Sequence, residues 1–452
     1  MDLHEHFRLE YRGRCYSSSQ LQAEINTLCH YLQQQGLEPG MVLASVVEQR
    51  WLNALLLFAL SRMGCVFFPL DPALPAHLRQ RLLRAAKVDV LLEDALKLQA
   101  QRQTDRVFEQ ASLKPEDICL LIATSGTSGF PRIVELTGSN LRSSALAAEQ
   151  CLQISSSSVW LACLPLFHIG GLSILLRSAF SGAKVVLEDT FEPQRLVQLL
   201  AEKGVSHLSM VPTMLARLLA HSPDLEPQSA LKVVLLGGGP ATAGLVNAGL
   251  QRGWPLCPSY GMTETASQVA TCYPPPARWR AGSVGKALPH VEIAVGEKGD
   301  VRVRGAAGAK YVRLIDGSRQ ELLDAQGWLC TQDAGWLDET GGLHILGRLD
   351  DVLITGGENV HPHMLEQELA ACPGVEEVAV VAVEDTVWGE KLIALYVGSC
   401  SAQELKMWAK QRFKKAFLPK VFFAVESLPR NAMGKLLRAE AKRLAAELSQ
   451  LE

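Results

Sequence analysis

The stretch ICLLIATSGTSGFPRIVEL, residues 118–136, decides how this chain is read. An apolar run ends at Ala123. Thr124 to Arg132 then packs four hydroxyl residues and two glycines into nine positions and ends on a cation, and a second apolar run begins at Ile133. Two β-rich runs around such a segment predict a hairpin. A turn needs a glycine or two. A loop that holds an anion needs free backbone N–H groups, hydroxyl donors and a positive end. These residues alone fit both. The order G-x-x-x-x-G-K-[ST] is absent, and the loop feeds a strand where a P-loop feeds a helix, so it is not a Walker A motif.

At 452 residues the chain exceeds what one hydrophobic core usually supports, so two or more domains are expected. Apolar residues at 48% and charged ones at 20% describe a soluble globular protein. A net charge of −3 gives no electrostatic case for nucleic acid or an anionic membrane as partner. The start MDLHEHFRLEYRGR lacks the apolar core of a signal peptide. The longest apolar stretch, LNALLLFALSRMGCVFFPL, is cut by Ser61, Arg62 and Gly64 and reads as a buried helix followed by a strand, not a membrane span. Eleven scattered cysteines, without a C-x-x-C pair or a metal-like cluster with His, fit a cytoplasmic location.

Outward from the hairpin, the N-terminal third alternates VLASVVEQ, a helix from Trp51, CVFFPL, a helix over HLRQRLLRAAK and VDVLLED. Strand–helix–strand spacing of this kind predicts parallel α/β units. Residues 95–114 are polar and patternless and read as a connection. A helix after the hairpin is expected to enter at Ser139 or Asn140, both good N-caps. Further units follow: AKVVLE, the helix PQRLVQLLAEKG, HLSMV, a helix from Thr213, and KVVLLGGG. Over 290–346, short strands with glycine turns predict antiparallel β-structure. Beyond Asp350 a compact segment reads β-α-β-β-α-β, so the expected domains are 1–349 and 350–452.

Other stretches bear chemistry. SYGMTE, Ser259–Glu264, places an aromatic, a glycine, a hydroxyl and a carboxylate together; Glu264 beside Thr263 suits Mg²⁺ bound with a phosphate, and equally a solvated loop. LLGGGP, Leu235–Pro240, sets Gly237, Gly238 and Gly239 at a strand end, where a flat ring could approach the backbone. TQDAGWLDETGGLHILGRLDD, Thr331–Asp351, offers Asp333 as an acceptor for ribose hydroxyls and Arg348 as a donor. PRNAMGKLLR carries Lys435 on a glycine-flexible loop, and LPLFHIGGLSILLR carries His168 after an apolar run. Singly, a Gly-Lys is usually a surface lysine and such a His a core residue.

Together, in order and spacing, these stretches resemble the acyl-CoA synthetase and adenylation-domain superfamily of adenylate-forming, AMP-binding enzymes. The likeness runs from YSSSQL and FFPLDP near the start to MGK near the end. It implies a large N-terminal domain of α/β subdomains with a small β-barrel-like part, and a small mobile α+β C-terminal domain. It implies that Thr124, Ser125, Gly126, Thr127, Ser128, Gly129 and Arg132 wrap the ATP phosphates, that Gly237, Gly238, Gly239 and Tyr260 line the adenine site, and that Ser259 and Gly261 also bind ATP or AMP. Thr263 and Glu264 would hold phosphate and Mg²⁺, Asp333 and Arg348 the ribose. Lys435 would be the catalytic lysine, with His168 and Glu264 as further catalytic residues, Asp350 the hinge, His168 also part of the acid pocket, and Gly356 and Gly357 of GGEN the face met by CoA. Four positions depart from the family pattern. Arg132 and Ile133 stand for Lys and Gly, Ser128 stands for Thr, and Gln332 stands for the glycine before the ribose-binding aspartate. Arg132 keeps the charge and adds a planar fork of donors.

Within the superfamily, LPLFHIGG, MVPTMLARLL, VLLGGG and SYGMTETAS are most similar to the o-succinylbenzoate–CoA ligase family of menaquinone biosynthesis. That acid has two carboxylates, and the second wants a fixed cation. If a helix begins near Gly170, then Gly170, Ser173 and Arg177 share one face, leaving room for a ligand with a guanidinium at its end. An ordinary helix arginine in a surface ion pair is the alternative. Other readings are a ligase for another aryl or medium-chain acid, an adenylating enzyme that loads a carrier protein, and an inactive homologue acting as a scaffold. Superfamily members occur as monomers and dimers, so a homodimer is an open expectation.

Overall fold

The computed structural model describes residues 3–94, 107–112, 114–124, 131–355, 358–385, 389–414, 417–430, 434 and 436–449. Strands Ile118–Thr124 and Arg132–Thr137 pair antiparallel with Thr124 opposite Arg132, the hairpin expected from the opening stretch. Leu120, Leu121, Ile122, Ile133, Val134 and Leu136 are buried on its two faces, so hydrophobic burial fixes the register from which the loop leaves. Five more strands extend this into a seven-stranded sheet: Val66–Pro69, Val42–Ser45 and Val90–Leu92 on one side, Tyr311–Arg313 and Arg319–Glu321 on the other.

The helix that follows, Gly138–Leu152, is capped by Thr137 and not by Ser139 or Asn140. Asn140 occupies the third helical position instead. Thr137 Oγ1 accepts its backbone N–H at 3.2 Å, and Asn140 Oδ1 accepts the Thr137 N–H at 3.0 Å. This capping box starts the helix two residues before a Ser139 cap would and three before an Asn140 cap. It also frees Asn140 Nδ2 to donate to the carbonyls of Ala306 and Gly308, both at 2.9 Å.

A second sheet has thirteen strands. Its parallel part runs Leu256–Met262, Val233–Leu236, His207–Met210, Val159–Ala162, Lys184–Leu187, Arg8–Tyr11, with Arg14–Ser17 antiparallel at the edge. Beyond Leu256–Met262 the expected barrel-like part continues the hydrogen bonding antiparallel, through Ser267–Thr271, Ser283–Ala287, Leu343–Arg348, Leu329–Leu337, Asp300–Arg304 and Glu292–Val295. The apolar run at 52–63 is a helix, Arg50–Met63, buried almost all round. Among the described residues no helix is long and apolar enough to cross a membrane.

A separate C-terminal domain has a three-stranded sheet, Val375–Asp385, Gly389–Gly398 and Val421–Ala424. Alternate residues of the first strand feed two cores: Val380 and Ala382 pack with Leu365, Leu369 and Leu405, while Ala379 and Val381 pack with Ala441 and Ala445. Helices Pro362–Ala370 and Ala402–Arg412 thus cover one face and Arg438–Ser449 the other. The expected β-α-β-β-α-β order gains one strand at its start, where Leu353–Thr355 pairs with Glu358–Val360, and the chain closes on the helix expected after Lys435.

Candidate active site

The candidate residues gather where the parallel strands end, the usual ligand edge of an open α/β sheet. Gly237–Gly239 follow strand Val233–Leu236, and Ser259–Gly261 lie near the end of Leu256–Met262. Ser259 Oγ donates to the Leu236 carbonyl at 3.1 Å. A Cβ on Gly237 would fall 2.8 Å from Ser259 Oγ and would force that hydroxyl off the Leu236 carbonyl, and one on Gly261 would fall 2.0 Å from the Ser267 carbonyl oxygen, so the backbone leaves no room for a side chain at Gly261. Around Gly239 a Cβ would meet no protein atom within 4 Å.

Asp333 is buried on strand Leu329–Leu337, where it sits opposite Arg348. Tyr260 Oη donates to its Oδ2 at 2.5 Å, and Arg348 Nη1 reaches its Oδ1 at 3.4 Å. Burial and the Asp333 charge push the Tyr260 phenol well above its usual range. Arg348 also donates to the Thr331 carbonyl at 3.0 Å and to Asp350 Oδ1 at 3.2 Å, so one guanidinium joins the expected ribose acceptor to the expected hinge. Gln332, which stands in the family's glycine position, adopts a left-handed φ of 62°, and its carbonyl accepts the Leu349 N–H at 2.9 Å.

Thr263 and Glu264 form a 3₁₀ turn, Thr263–Thr265, held by the Ala309 N–H donating to the Glu264 carbonyl at 2.7 Å. Burial raises the Glu264 carboxyl above its ordinary pKa; its own backbone N–H, then Arg348 and Arg132, draw it back, while Asp333 raises it further. The four charged groups therefore share one electrostatic neighbourhood. A half-buried carboxylate beside a hydroxyl, with no ion-pair partner among the described residues, fits a Mg²⁺ ion completed by substrate phosphates.

The expected acid end begins at His168, the N-cap of helix Ile169–Ser181. Burial pushes the imidazole pKa down, against a smaller upward pull from Asp71, so the ring is neutral at pH 7. Gly171 presses on the preceding loop: a Cβ there would lie 2.2 Å from the Pro165 carbonyl oxygen. The helix does place Gly170, Ser173 and Arg177 on one face. Ser173 Oγ donates to the Gly170 carbonyl at 3.1 Å and accepts from Arg177 Nη2 at 2.9 Å; Arg177 Nε donates to the Ser173 carbonyl at 3.0 Å. The surface ion-pair reading of Arg177 is wrong. Its exposure is 1%, and its other polar neighbours are Ser267 Oγ and Gln268 Oε1, both at 3.4 Å. No carboxylate among the described residues pairs with it. Desolvation lowers its pKa to about 10, which leaves it charged at pH 7.

Ser125, Gly126, Thr127, Ser128, Gly129, Gly356, Gly357 and Lys435 lie outside the described residues. Their neighbours are placed. Gly434 has φ 71°, its carbonyl accepts from Arg430 Nη1 at 2.6 Å, and a Cβ on it would fall 2.6 Å from Thr213 Oγ1. Thr213 lies in the first turn of helix Pro212–His221, and the preceding strand meets the glycine segment where the Gly237 N–H donates to the Met210 carbonyl at 3.2 Å. The residue before the expected catalytic lysine thus stands at the end of the large domain where the expected nucleotide-binding residues gather. Sequence reasoning assigned no role to Thr213, Thr331, Ser267 or Gln268; Ser267 ends the SYGMTETAS stretch and Gln268 follows it, and that nearness was the available signal.

The chain belongs to the AMP-binding enzyme family. The family model matches residues 4–314, and the model of the AMP-binding enzyme C-terminal domain matches 364–435. Among similar proteins, 2-succinylbenzoate–CoA ligase of Bacillus cytotoxicus is 32% identical over 451 residues, spanning 94% of this chain and 93% of that protein. The o-succinylbenzoate CoA synthetase of Bacillus subtilis, solved with the acyl-adenylate intermediate, superposes with a TM-score of 0.89 at 31% identity over 96% of this chain and 94% of that one. ATP-bound MatB from Rhodopseudomonas palustris also reaches 0.89, at 26% identity over 98% and 97% of the two chains.

Proposed function

We propose that this protein is an ATP-dependent acid–thiol ligase that activates 2-succinylbenzoate as its acyl-adenylate and transfers the acyl group to CoA, a step of menaquinone biosynthesis. One observation carries the choice of acid: Arg177, a fully buried cation without a carboxylate partner among the described residues, stands in a cage of neutral oxygens. A buried charge is costly unless paired, and the second carboxylate of a diacid would supply the counter-ion. The relatives named for this acid support the reading.

A carboxylate is a poor acyl donor because its charge repels nucleophiles and oxide is a bad leaving group. Attack of one carboxylate oxygen on the α-phosphorus of ATP forms a mixed anhydride and expels pyrophosphate. The CoA sulfur then attacks the anhydride carbonyl and AMP leaves. Two anions must first meet, so fixed positive charge and oriented donors carry the catalysis. The loop from Thr124 to Arg132 would hold the triphosphate and Lys435 would bridge it to the acid. Mg²⁺ on Thr263 and Glu264 would supply further neutralisation when bound. Asp333 would take the ribose hydroxyls, oriented by Tyr260 and Arg348. Neutral His168 would line the acid pocket without adding a competing cation.

The lysine serves the first step and obstructs the second, which favours rotation of residues 350–452 against 1–349 about Asp350, exchanging Lys435 for the Gly356–Gly357 face. All eleven cysteines are free, in keeping with a cytoplasmic enzyme supplied with ATP and CoA. The test is pyrophosphate exchange over 2-succinylbenzoate, benzoate and octanoate, followed by offering CoA or a pantetheine-bearing carrier protein as acceptor. Exchange with the diacid and transfer to free CoA are expected. Preference for octanoate, or transfer only to the carrier, overturns the reading.

A further inference from the structure

Arg177 has one more neighbour. Its Cζ lies 5.0 Å from the ring centroid of Trp160, over the indole. Trp160 is wholly buried in strand Val159–Ala162, between Val185 and His207 of the flanking strands. Its Nε1 donates to Ser209 Oγ at 3.2 Å, and the His207 ring stacks on it with centroids 5.0 Å apart. His207 is tied in turn, with Nδ1 2.8 Å from Ser206 Oγ and Nε2 3.2 Å from the Leu152 carbonyl oxygen. Burial lowers the His207 pKa to about 4, so it brings no second cation to the ring at pH 7. The indole is thus clamped through its N–H, its strand and a stacked neutral ring.

We propose that Trp160 is a positioning residue for acid specificity: its π face shares the charge of the buried Arg177 guanidinium and holds it where the second carboxylate of the substrate arrives. This rests on the reading that Arg177 receives that carboxylate. Among the described residues, the hydrogen-bond partners of the guanidinium are neutral serine and glutamine oxygens and one backbone carbonyl. An aromatic face is a strong neutral partner for a desolvated cation, and Trp is the best of the three aromatic residues for it. An arginine side chain is long and flexible, so without the ring its head group is free to settle elsewhere among those oxygens.

The test uses full-length protein and two acids, 2-succinylbenzoate and 4-oxo-4-phenylbutanoate, which lacks the ring carboxylate. Trp160→Leu should raise KM for the diacid roughly tenfold or more, Trp160→Phe by less, with kcat and the KM values for ATP and the monoacid unchanged. Equal rises for both acids would reduce Trp160 to a wall of the pocket and overturn the inference; so would no rise at all. If the leucine variant fails to fold, Trp160→Phe and Trp160→Tyr decide by the same diacid-to-monoacid ratio. Arg177→Met separates the two claims. If it leaves that ratio unchanged, the substrate reading itself fails. If it abolishes the preference while the Trp160 variants do not, only the role of Trp160 fails.

Discussion

Tyr260 donates its phenolic proton to Oδ2 of Asp333 across 2.5 Å, while Arg348 reaches Oδ1 of the same carboxylate at 3.4 Å. Both oxygens are thereby fixed in direction, as an acceptor for a pair of ribose hydroxyls requires. Hydrogen bonds to charged groups contribute about 1.5–3 kcal/mol. Asp333→Asn should therefore raise KM for ATP by roughly 10- to 100-fold, and Tyr260→Phe by less, with KM for the acid little changed. Steady-state kinetics with each substrate varied checks this; an effect confined to the acid would remove Asp333 from the nucleotide site.

Arg177→Lys keeps the charge but loses the planar fork that matches a carboxylate. KM for 2-succinylbenzoate should rise roughly tenfold or more, with KM for ATP unmoved. Unaltered kinetics for the diacid would take Arg177 out of the acid pocket.

Gly434 and Thr213 meet too closely for any side chain on the glycine, and the φ of 71° is itself unfavourable for alanine. Gly434→Ala should slow adenylation on the order of 10- to 100-fold by displacing the adjoining lysine. Thioester formation from preformed acyl-adenylate should be spared, and Thr213→Ala in the same chain should recover part of the loss. Equal loss in both half-reactions would contradict the alternation of domains.

Arg438 grips Glu366 in a fork, at 2.9 and 3.0 Å, and Asp351 at 3.0 Å. Burial opposes ionisation of Glu366, but Arg438 and His363 prevail and hold its pKa at about 2, below its ordinary 4.5. A depressed folded-state pKa stabilises above the unfolded value and is lost as pH falls through the folded one. Glu366 should thus contribute about 3 kcal/mol to the C-terminal domain at pH 7, fading between pH 4.5 and about 2. Unfolding of wild type and Glu366→Gln across that range checks it; a pH-independent difference would contradict it.

Much of this is legible in the sequence. The hairpin at 118–136 followed from two apolar runs around a glycine-rich turn, and the motif residues at strand ends followed from strand–helix alternation. Local rivalry hid the helix entry: Thr137, Ser139 and Asn140 are all good caps, and only the capping box together with the Asn140 bonds to Ala306 and Gly308 selects Thr137. The helical period put Gly170, Ser173 and Arg177 on one face. It could not say that this face turns inward, because that depends on Trp160 and on Ser267 and Gln268, brought together by strand order. The left-handed Gln332 was equally hidden: the turn keeps the glycine's conformation although the glycine is gone.

The central claim is that a buried guanidinium without a carboxylate partner among the described residues, together with a nucleotide site, selects a diacid for transfer to CoA. Mass spectrometry of the products formed from ATP, Mg²⁺, CoA and 2-succinylbenzoate, with benzoate and octanoate as controls, tests it most directly. The account predicts 2-succinylbenzoyl-CoA and AMP from the diacid and little thioester from either control. Comparable thioester from benzoate or octanoate, or none from the diacid, would contradict it.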